Sequence, residues 1–238
     1  EIGEYWLKAD YSQQEPRLLT HWACLVGQLG AEEVKEAYKK SDLDFHQQTA
    51  DMAGVERRLA KTIGLGVMYG MGYNKLAREL DIDPQDAKKM LKDFRERVPF
   101  MQGMLEAVMN RANSKGIIRT LLGRKCRFDL WEPTQWGVHK ALPHNQAKVE
   151  YGEAIKRAGT YKALNRLIQG SAADQTKKAM VDVYEELGVI PLIQVHDELD
   201  CSVKDEKQAK EIQRVMETCV ELEVPSKADI DLGESWGG

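Results

Sequence analysis

Long apolar runs are missing from this 238-residue sequence; none approaches the ~18 residues that a membrane-spanning helix needs. The first residues carry neither a basic stretch followed by an apolar one nor a small-residue cleavage site, so the pattern of an export signal is missing too. The expectation is a soluble, intracellular protein. Cysteine is scarce and scattered: Cys24, Cys126, Cys201 and Cys219 form no CxxC pair and have no histidine at zinc-ligand spacing, which argues against a disulfide framework and a structural zinc site. Repeats, low-complexity tracts and Pro/Gly-rich linkers are absent as well, so no clean domain boundary is visible. Nor is there an excess of positive charge. A formal net charge of −4 excludes a surface that attracts nucleic acid as a whole, while leaving local basic patches open.

What is present is enough apolar material, 42% of residues, for one large or two small cores. "YWLKAD" (5–10) reads as a strand ending in Asp10, and "EPRLLTHWACLVG" (15–27) as a helix that Gly27 stops. Residues 32–40 and 45–53 form short helices, and 55–72 has helical length despite Gly64 and Gly66, whose smallness suggests the close approach of something large. Asp83 caps and Pro84 opens a helix over 84–98, and Pro99 interrupts it before a second, 100–113. A hairpin over 116–129 turns near Gly123. A long helical region from 141 to 187, interrupted at Gly170, ends at Gly188 as a C-cap. The segment "IPLIQVHDELDCSV" (190–203) forms a hairpin whose apolar first arm ought to be buried, and a helix from Asp205 to about Leu222 and a strand over 228–232 complete the chain. This order predicts an α+β fold, a small antiparallel sheet with a mostly helical subdomain inserted into it. Strand character beginning beside Glu1, where Met would open a complete protein, sets the expectation that the chain starts mid-protein.

Two basic patches stand out. Lys88, Lys89, Lys92, Arg95 and Arg97 fall on one helix, but Asp86, Asp93 and Glu96 are interleaved with them and favour a solvated face. Arg119, Arg124, Lys125 and Arg127 cluster around one glycine turn with fewer acids.

The chemistry concentrates elsewhere. Asp10 ends a strand and Asp197 sits in the bend of a hairpin; if the strands are neighbours, two carboxylates meet at one sheet edge and need a proton or a cation between them. Oxygen ligands without a His/Cys cluster suit Mg²⁺, and a two-metal phosphoryl-transfer site is allowed. Aspartate at a strand end is also ordinary turn chemistry. On the 55–72 helix, Arg57, Lys61 and Tyr69 recur at intervals of four and eight along one side. A guanidinium fork and an ammonium one turn apart suit a polyphosphate, and the apolar Ile63, Leu65, Val67 and Met68 between them show that these cations are not part of a general charge coat.

"DYSQQEPRLLTHWA" (10–23), "RRLAKTIGLGVMYGMG" (57–72), "NRLIQGSAAD" (165–174) and "QVHDEL" (194–199) resemble, in order, the motifs of family A DNA polymerases of the bacterial polymerase I and phage replicative type. The resemblance implies template-directed DNA synthesis in the cytoplasm of a bacterial or phage-infected cell. It implies a palm segment over 1–30, fingers over 31–115 and the rest of the palm over 116–238, with thumb and exonuclease domain expected upstream. Asp10 and Asp197 become the ligands of two Mg²⁺ ions, with the Tyr11 main-chain carbonyl as an extra ligand. Glu198 becomes an accessory carboxylate near the primer end and His196 a primer contact. Arg57 would meet the γ-phosphate of the deoxynucleoside triphosphate and Lys61 the α-phosphate, where it protonates the leaving pyrophosphate. His46 reaches the phosphates, Glu15 is a steric gate against the ribose 2′-OH, and Tyr69 lies against that gate. Asn165 and Gln169 contact primer-template DNA in the minor groove. Three departures stand out: Leu65 replaces an aromatic residue beside the sugar, Tyr161 stands where the bacterial enzymes often carry Arg, and the interval from His46 to Arg57 is short, which suggests a phage-like source.

Rival functions fit less well. A single-subunit RNA polymerase lacks the gate and the HDE triplet, and a metal-dependent nuclease or phosphatase has no need of the Arg57/Lys61/Tyr69 helix. A catalytically silent DNA-binding remnant, or one half of a split polymerase awaiting its N-terminal thumb and palm portion, remains the alternative. No membrane partner is expected.

Overall fold

A computed structural model describes residues 5–40, 43–135, 137 and 139–236. The chain divides into two compact units, one comprising Glu1–Gly27, Ala31–Phe45 and Ile168–Gly238, the other Gln28–Gly30 and His46–Leu167. Among the described residues no helix is long and apolar enough to cross a membrane.

The first unit is built on a four-stranded antiparallel sheet. Its strands are β1 (Tyr5–Tyr11), β7 (Ile193–Val195), β8 (Glu198–Val203) and β9 (Ala228–Gly233), in the order β7-β8-β1-β9. Side chains alternate across a strand, so Leu7, Ala9 and Tyr11 from β1 and Leu199, Cys201 and Val203 from β8 share one buried face. That face packs on Ala179 and Val183 of α9 (Ala163–Leu187) and on Ala209, Ile212, Val215 and Met216 of α10 (Glu206–Thr218). Asp205 caps α10, accepting a 2.8 Å hydrogen bond from the Gln208 amide, while the Gln208 side chain accepts one from the Lys204 amide. Helices α1 (Gln14–Leu25) and α2 (Ala31–Lys40) complete the unit.

The second unit is mostly helical: α3 (Phe45–Ala53), α4 (Arg57–Met68), α5 (Tyr73–Leu80), α6 (Pro84–Arg97) and α7 (Pro99–Lys115). The expected cap is present, with Asp83 accepting from the Gln85 amide at 2.7 Å and Pro84 at the first helical position. A hairpin of β2 (Ile117–Arg119) and β3 (Lys125–Arg127) turns through Gly123, as expected. Beyond it lies an unanticipated three-stranded sheet, β5 (Leu142–Pro143), β4 (Leu130–Pro133) and β6 (Ile155–Arg157), with α8 (His144–Tyr151) beside it. Arg157 stitches these pieces together: its guanidinium donates to the carbonyls of Asn113 and Phe128 and lies 4.7 Å from the Trp131 ring centroid.

The α+β class holds; several details change. The helix expected over 55–72 stops at Met68, because Gly70 adopts φ 70° and turns the chain, leaving Tyr69 as the cap. Gly64 and Gly66 make room for the protein's own side chains, Met101 and Phe94 beside Gly64 and Met71 over Gly66. The region 141–187 is not one helix. Gly152 and Gly159, at φ 75° and 70°, break it, whereas α9 runs through Gly170 without interruption because Leu167, Ile168 and Ser171 around it are buried. Gly188 does end α9, as expected. The apolar arm at 190–195 is not buried: β7 is a sheet edge, Ile190 is 63% and Val195 40% exposed, and the buried arm of the hairpin is β8.

Gly70 offers a direct test of this packing. A Cβ there would lie 2.7 Å from the Tyr161 carbonyl oxygen, and the left-handed backbone alone costs an L side chain about 1–2 kcal/mol. Gly70→Ala should therefore lower stability in urea unfolding by more than about 2 kcal/mol.

Candidate active site

The face of the sheet opposite the core carries the charged residues of β1, β8 and β9. The antiparallel register sets Asp10 directly across from Glu198 on one side and Asp229 on the other. Directly opposed residues have Cβ atoms about 4.5–5.5 Å apart. Three carboxylates therefore form one transverse row, Glu198–Asp10–Asp229. Asp197 adjoins it in the two-residue turn between β7 and β8, and its carbonyl accepts from the Tyr11 amide at 3.3 Å. His196 shares that turn, exposed and with its backbone left-handed at φ 56°.

Like charges held this closely resist ionisation. Burial first, and then the fields of Asp197, Glu198 and Asp229, push Asp10 up to about 6 from 3.8. Glu198 is raised by burial and by Asp200 and Asp197, with Lys8 pulling the other way. A cation would relieve this repulsion, and the donors are the hard oxygens that Mg²⁺ prefers. Among the described residues no group of three or more acidic, His or Cys side chains is placed to hold a metal ion. The Tyr11 side chain points the other way, into the core, where its hydroxyl donates to the Met216 carbonyl at 2.6 Å and burial drives its pKa far up. Only its main chain faces the carboxylates.

The segment that follows Asp10 is held by polar side chains whose roles the sequence did not announce. Arg17 is 4% exposed, and its guanidinium donates to the carbonyls of Ser12 at 2.8 Å and Pro225 at 2.7 Å while lying 4.5 Å from the Tyr38 ring centroid. It thus ties the exit of β1 to the approach of β9, on both sides of the Asp10/Asp229 pair. Gln14 donates to Thr176 and Gln175 of α9, Gln175 donates to Ser226, and Trp22 donates to Ser171. Gln13, left-handed at φ 54°, bonds both the Leu43 carbonyl and the Phe45 amide. Glu15 lies half-buried in the first turn of α1.

In the helical unit, Arg57, Lys61 and Leu65 follow one another at four-residue intervals along α4, drifting about 40° per step. Arg57 and Lys61 are exposed, and Lys61 has no ion-pair partner among the described residues. Ala60, Ile63, Gly64 and Val67 of the same helix are buried. Tyr69 is 40% exposed just past the helix end, and His46 lies in the first turn of α3. On α9, Asn165 and Gln169 are one turn apart and so share a face.

The first unit therefore brings together Asp10, Tyr11, His196, Asp197 and Glu198, and the second aligns Arg57, Lys61 and Leu65. Asp229 escaped the sequence reading, although the alternation of "ADIDL" sets it on the face away from Ala228 and Ile230. Pairing that strand with β1 would have found it. Arg17 carried no such signal.

The model of DNA polymerase family A matches residues 1–238. A DNA-directed DNA polymerase of Pseudomonas phage M6 is 37% identical over 281 aligned residues, covering 100% of this chain and 39% of the phage protein. The thermostable DNA polymerase I of Thermus filiformis is 32% identical over 251 residues, covering 99% of this chain and 27% of its own length. Among solved structures, the POL domain of Pol1 from M. smegmatis in complex with DNA primer-template and dNTP superposes with a TM-score of 0.76 at 28% identity, covering 99% of this chain and 41% of that one. The chain thus spans well under half the length of these relatives.

The raised Asp10 carboxyl makes a pH prediction for the cation-free protein. Its neutral form is the one the fold favours, so the stability it contributes is complete below pH 3.8 and lost as pH rises through about 6. Asp10→Asn should remove that loss: measured by urea unfolding with a chelator present, the variant gains on the wild type across this window and keeps the gain above it. Parallel curves would contradict the carboxylate row.

Proposed function

The chain belongs to DNA polymerase family A, and from that premise we propose that its protein extends a DNA primer on a template, joining each deoxynucleotide to the primer 3′-OH with loss of pyrophosphate. The observation that carries this is the transverse row on a rigid sheet, Glu198 and Asp229 flanking Asp10 with Asp197 in the adjoining turn. In this reading residues 1–30 and 116–238 are palm and 31–115 fingers.

Asp10 and Asp197, with the Tyr11 main-chain carbonyl, would hold two Mg²⁺ ions. When bound, these supply Lewis acidity at the 3′-oxygen and charge neutralisation at the departing phosphates. The chain's own side chains do the rest. Arg57 grips the outer phosphate with its fork, and Lys61 lies nearer the reacting phosphorus and delivers a proton to the leaving pyrophosphate. His46 adds a further phosphate contact. Glu15 fills the space of a ribose 2′-OH and so selects deoxynucleotides, with Tyr69 and Leu65 bordering the sugar and base. Asn165 and Gln169 touch the primer-template in the minor groove, where contacts are tolerant of sequence, and His196 and Glu198 attend the primer end.

The exposed apolar edge, with Ile190, Leu192, Ile193 and Val195 open to solvent, supports a further partner for this chain: an N-terminal thumb and palm portion. The relatives' greater length fits this. Alone, the 238-residue chain should extend primers weakly or not at all, and robust processive extension by it would refute the need for that portion.

In the intact polymerase, Asp197→Ala should reduce extension by on the order of 10³-fold or more with the fold unchanged by circular dichroism, and near-wild-type extension would sink the two-metal mechanism. Glu15→Ala should raise ribonucleotide incorporation relative to deoxynucleotide in a direct competition. An unchanged ratio removes Glu15 from the gate.

A further inference from the structure

Three residues, Gly54, Val55 and Glu56, join α3 to α4, so whatever fixes this connector also fixes where α4 presents Arg57. The connector has few means of its own. Gly54 ends α3 in the left-handed region at φ 66°, its amide donating to the Asp51 carbonyl at 3.3 Å and the Val55 amide to the Ala50 carbonyl at 3.1 Å. Glu56, which precedes α4, is extended and gives that helix no side-chain cap. An open cavity of about 520 Å³ borders Ala53, Gly54 and Val55, so packed side chains do not hold the connector on that side.

Arg97 supplies that hold. From the last turn of α6 its guanidinium donates to the Ala53 carbonyl at 2.8 Å, one of the carbonyls that a helix end leaves without an intrahelical partner. Positive charge there also suits the negative end of the α3 dipole. Gly54 admits the contact because it has no side chain: a Cβ would lie 2.7 Å from the Arg97 Nη1. The guanidinium makes no ion pair among the described residues, not even with Asp93, one turn back on α6 and bordering the same cavity. Phe94 lies one turn before Arg97 on the same side of α6 and packs beside Gly64 in the middle of α4. Helix α6 thus mounts α4 at two points, its middle through Phe94 and its leading end through Arg97.

We propose that Arg97 is a positioning residue for nucleotide binding: by clamping the α3–α4 connector it sets Arg57 in register with His46 of α3, so that both meet one triphosphate. The role in nucleotide binding rests on the polymerase function proposed above; the clamp itself does not. Arg97 acts through Arg57, which is exposed in the first turn of α4 and follows the connector directly. Lys61 is one turn further along, nearer the Phe94 mount, and depends less on the clamp. A grip on the outer phosphate is the same before and during transfer, so its loss weakens nucleotide binding and leaves turnover nearly unchanged.

The test uses the intact protein and two measurements. In single-nucleotide incorporation, Arg97→Met, which keeps the stem and removes the donors, should raise the nucleotide KM about tenfold, the worth of one charge-assisted hydrogen bond, with kcat within about twofold of the wild type. Arg97→Lys keeps a donor and should recover most of the loss. In an Arg57→Ala background, Arg97→Met should add less than about twofold, because the residue it acts through is gone. An unchanged KM, or an equal rise in both backgrounds, overturns the proposal. Amide hydrogen exchange needs no activity: Gly54, Val55 and the first turn of α4 should exchange about tenfold faster in Arg97→Met, and exchange equal to the wild type overturns the clamp whether or not the protein extends primers. Extension by the wild type reports separately on the polymerase function, so a failure of one is not mistaken for a failure of the other.

Discussion

Everything at the candidate site depends on one constraint, the register of three antiparallel strands. Because β8, β1 and β9 pair as they do, Glu198, Asp10 and Asp229 stand side by side with Asp197 one residue away. The core permits no slip, since a shift of one residue would carry Leu7 and Ala9 to the outer face and the carboxylates inward. Apolar burial on one side of the sheet thus sustains electrostatic repulsion on the other. The crowding favours the protonated form of Asp10, and positive charge beside the row would relieve it.

The polar scaffold behind the row serves the same end. Arg17 sits among carbonyls and an aromatic ring, the Gln14–Gln175–Ser226 chain links α1 through α9 to the approach of β9, and Gln13 fixes the loop leading to α3. Each bond replaces water with protein at a polar group that would otherwise be buried and unpaired, where the penalty is largest. The result is rigidity on both sides of Asp10, and rigidity counts where carboxylates must hold their spacing with or without a ligand.

The parts of this arrangement that the sequence disclosed are those governed by local rules. Asp10 at a strand end, Asp197 in a turn, the cap at Asp83 and the stop at Gly188 all follow from neighbours a few residues away. Arg57 and Lys61 are legible because helical spacing converts directly into a face. The misreadings come from tertiary effects. An apolar run such as 190–195 looks buried whether it lies mid-sheet or at an edge, and only the strand order distinguishes them. Gly170 looks like a break, but its buried flanks keep α9 intact, while Gly152 and Gly159 do break the chain. The two- and three-residue strands of the small sheet carry too few side chains for any periodicity. Arg17 resembles any helical arginine until its carbonyl partners are known.

The carboxylate row is most directly tested by the effect of Mg²⁺ on the thermal unfolding of the intact protein at neutral pH, compared between the wild type and Asp10→Asn. The register predicts that the ion raises the wild-type midpoint in a concentration-dependent way, because it binds the folded state and relieves its repulsion, and that the variant largely loses this response. A Mg²⁺ response equal in the two proteins, or absent from the wild type, would contradict it.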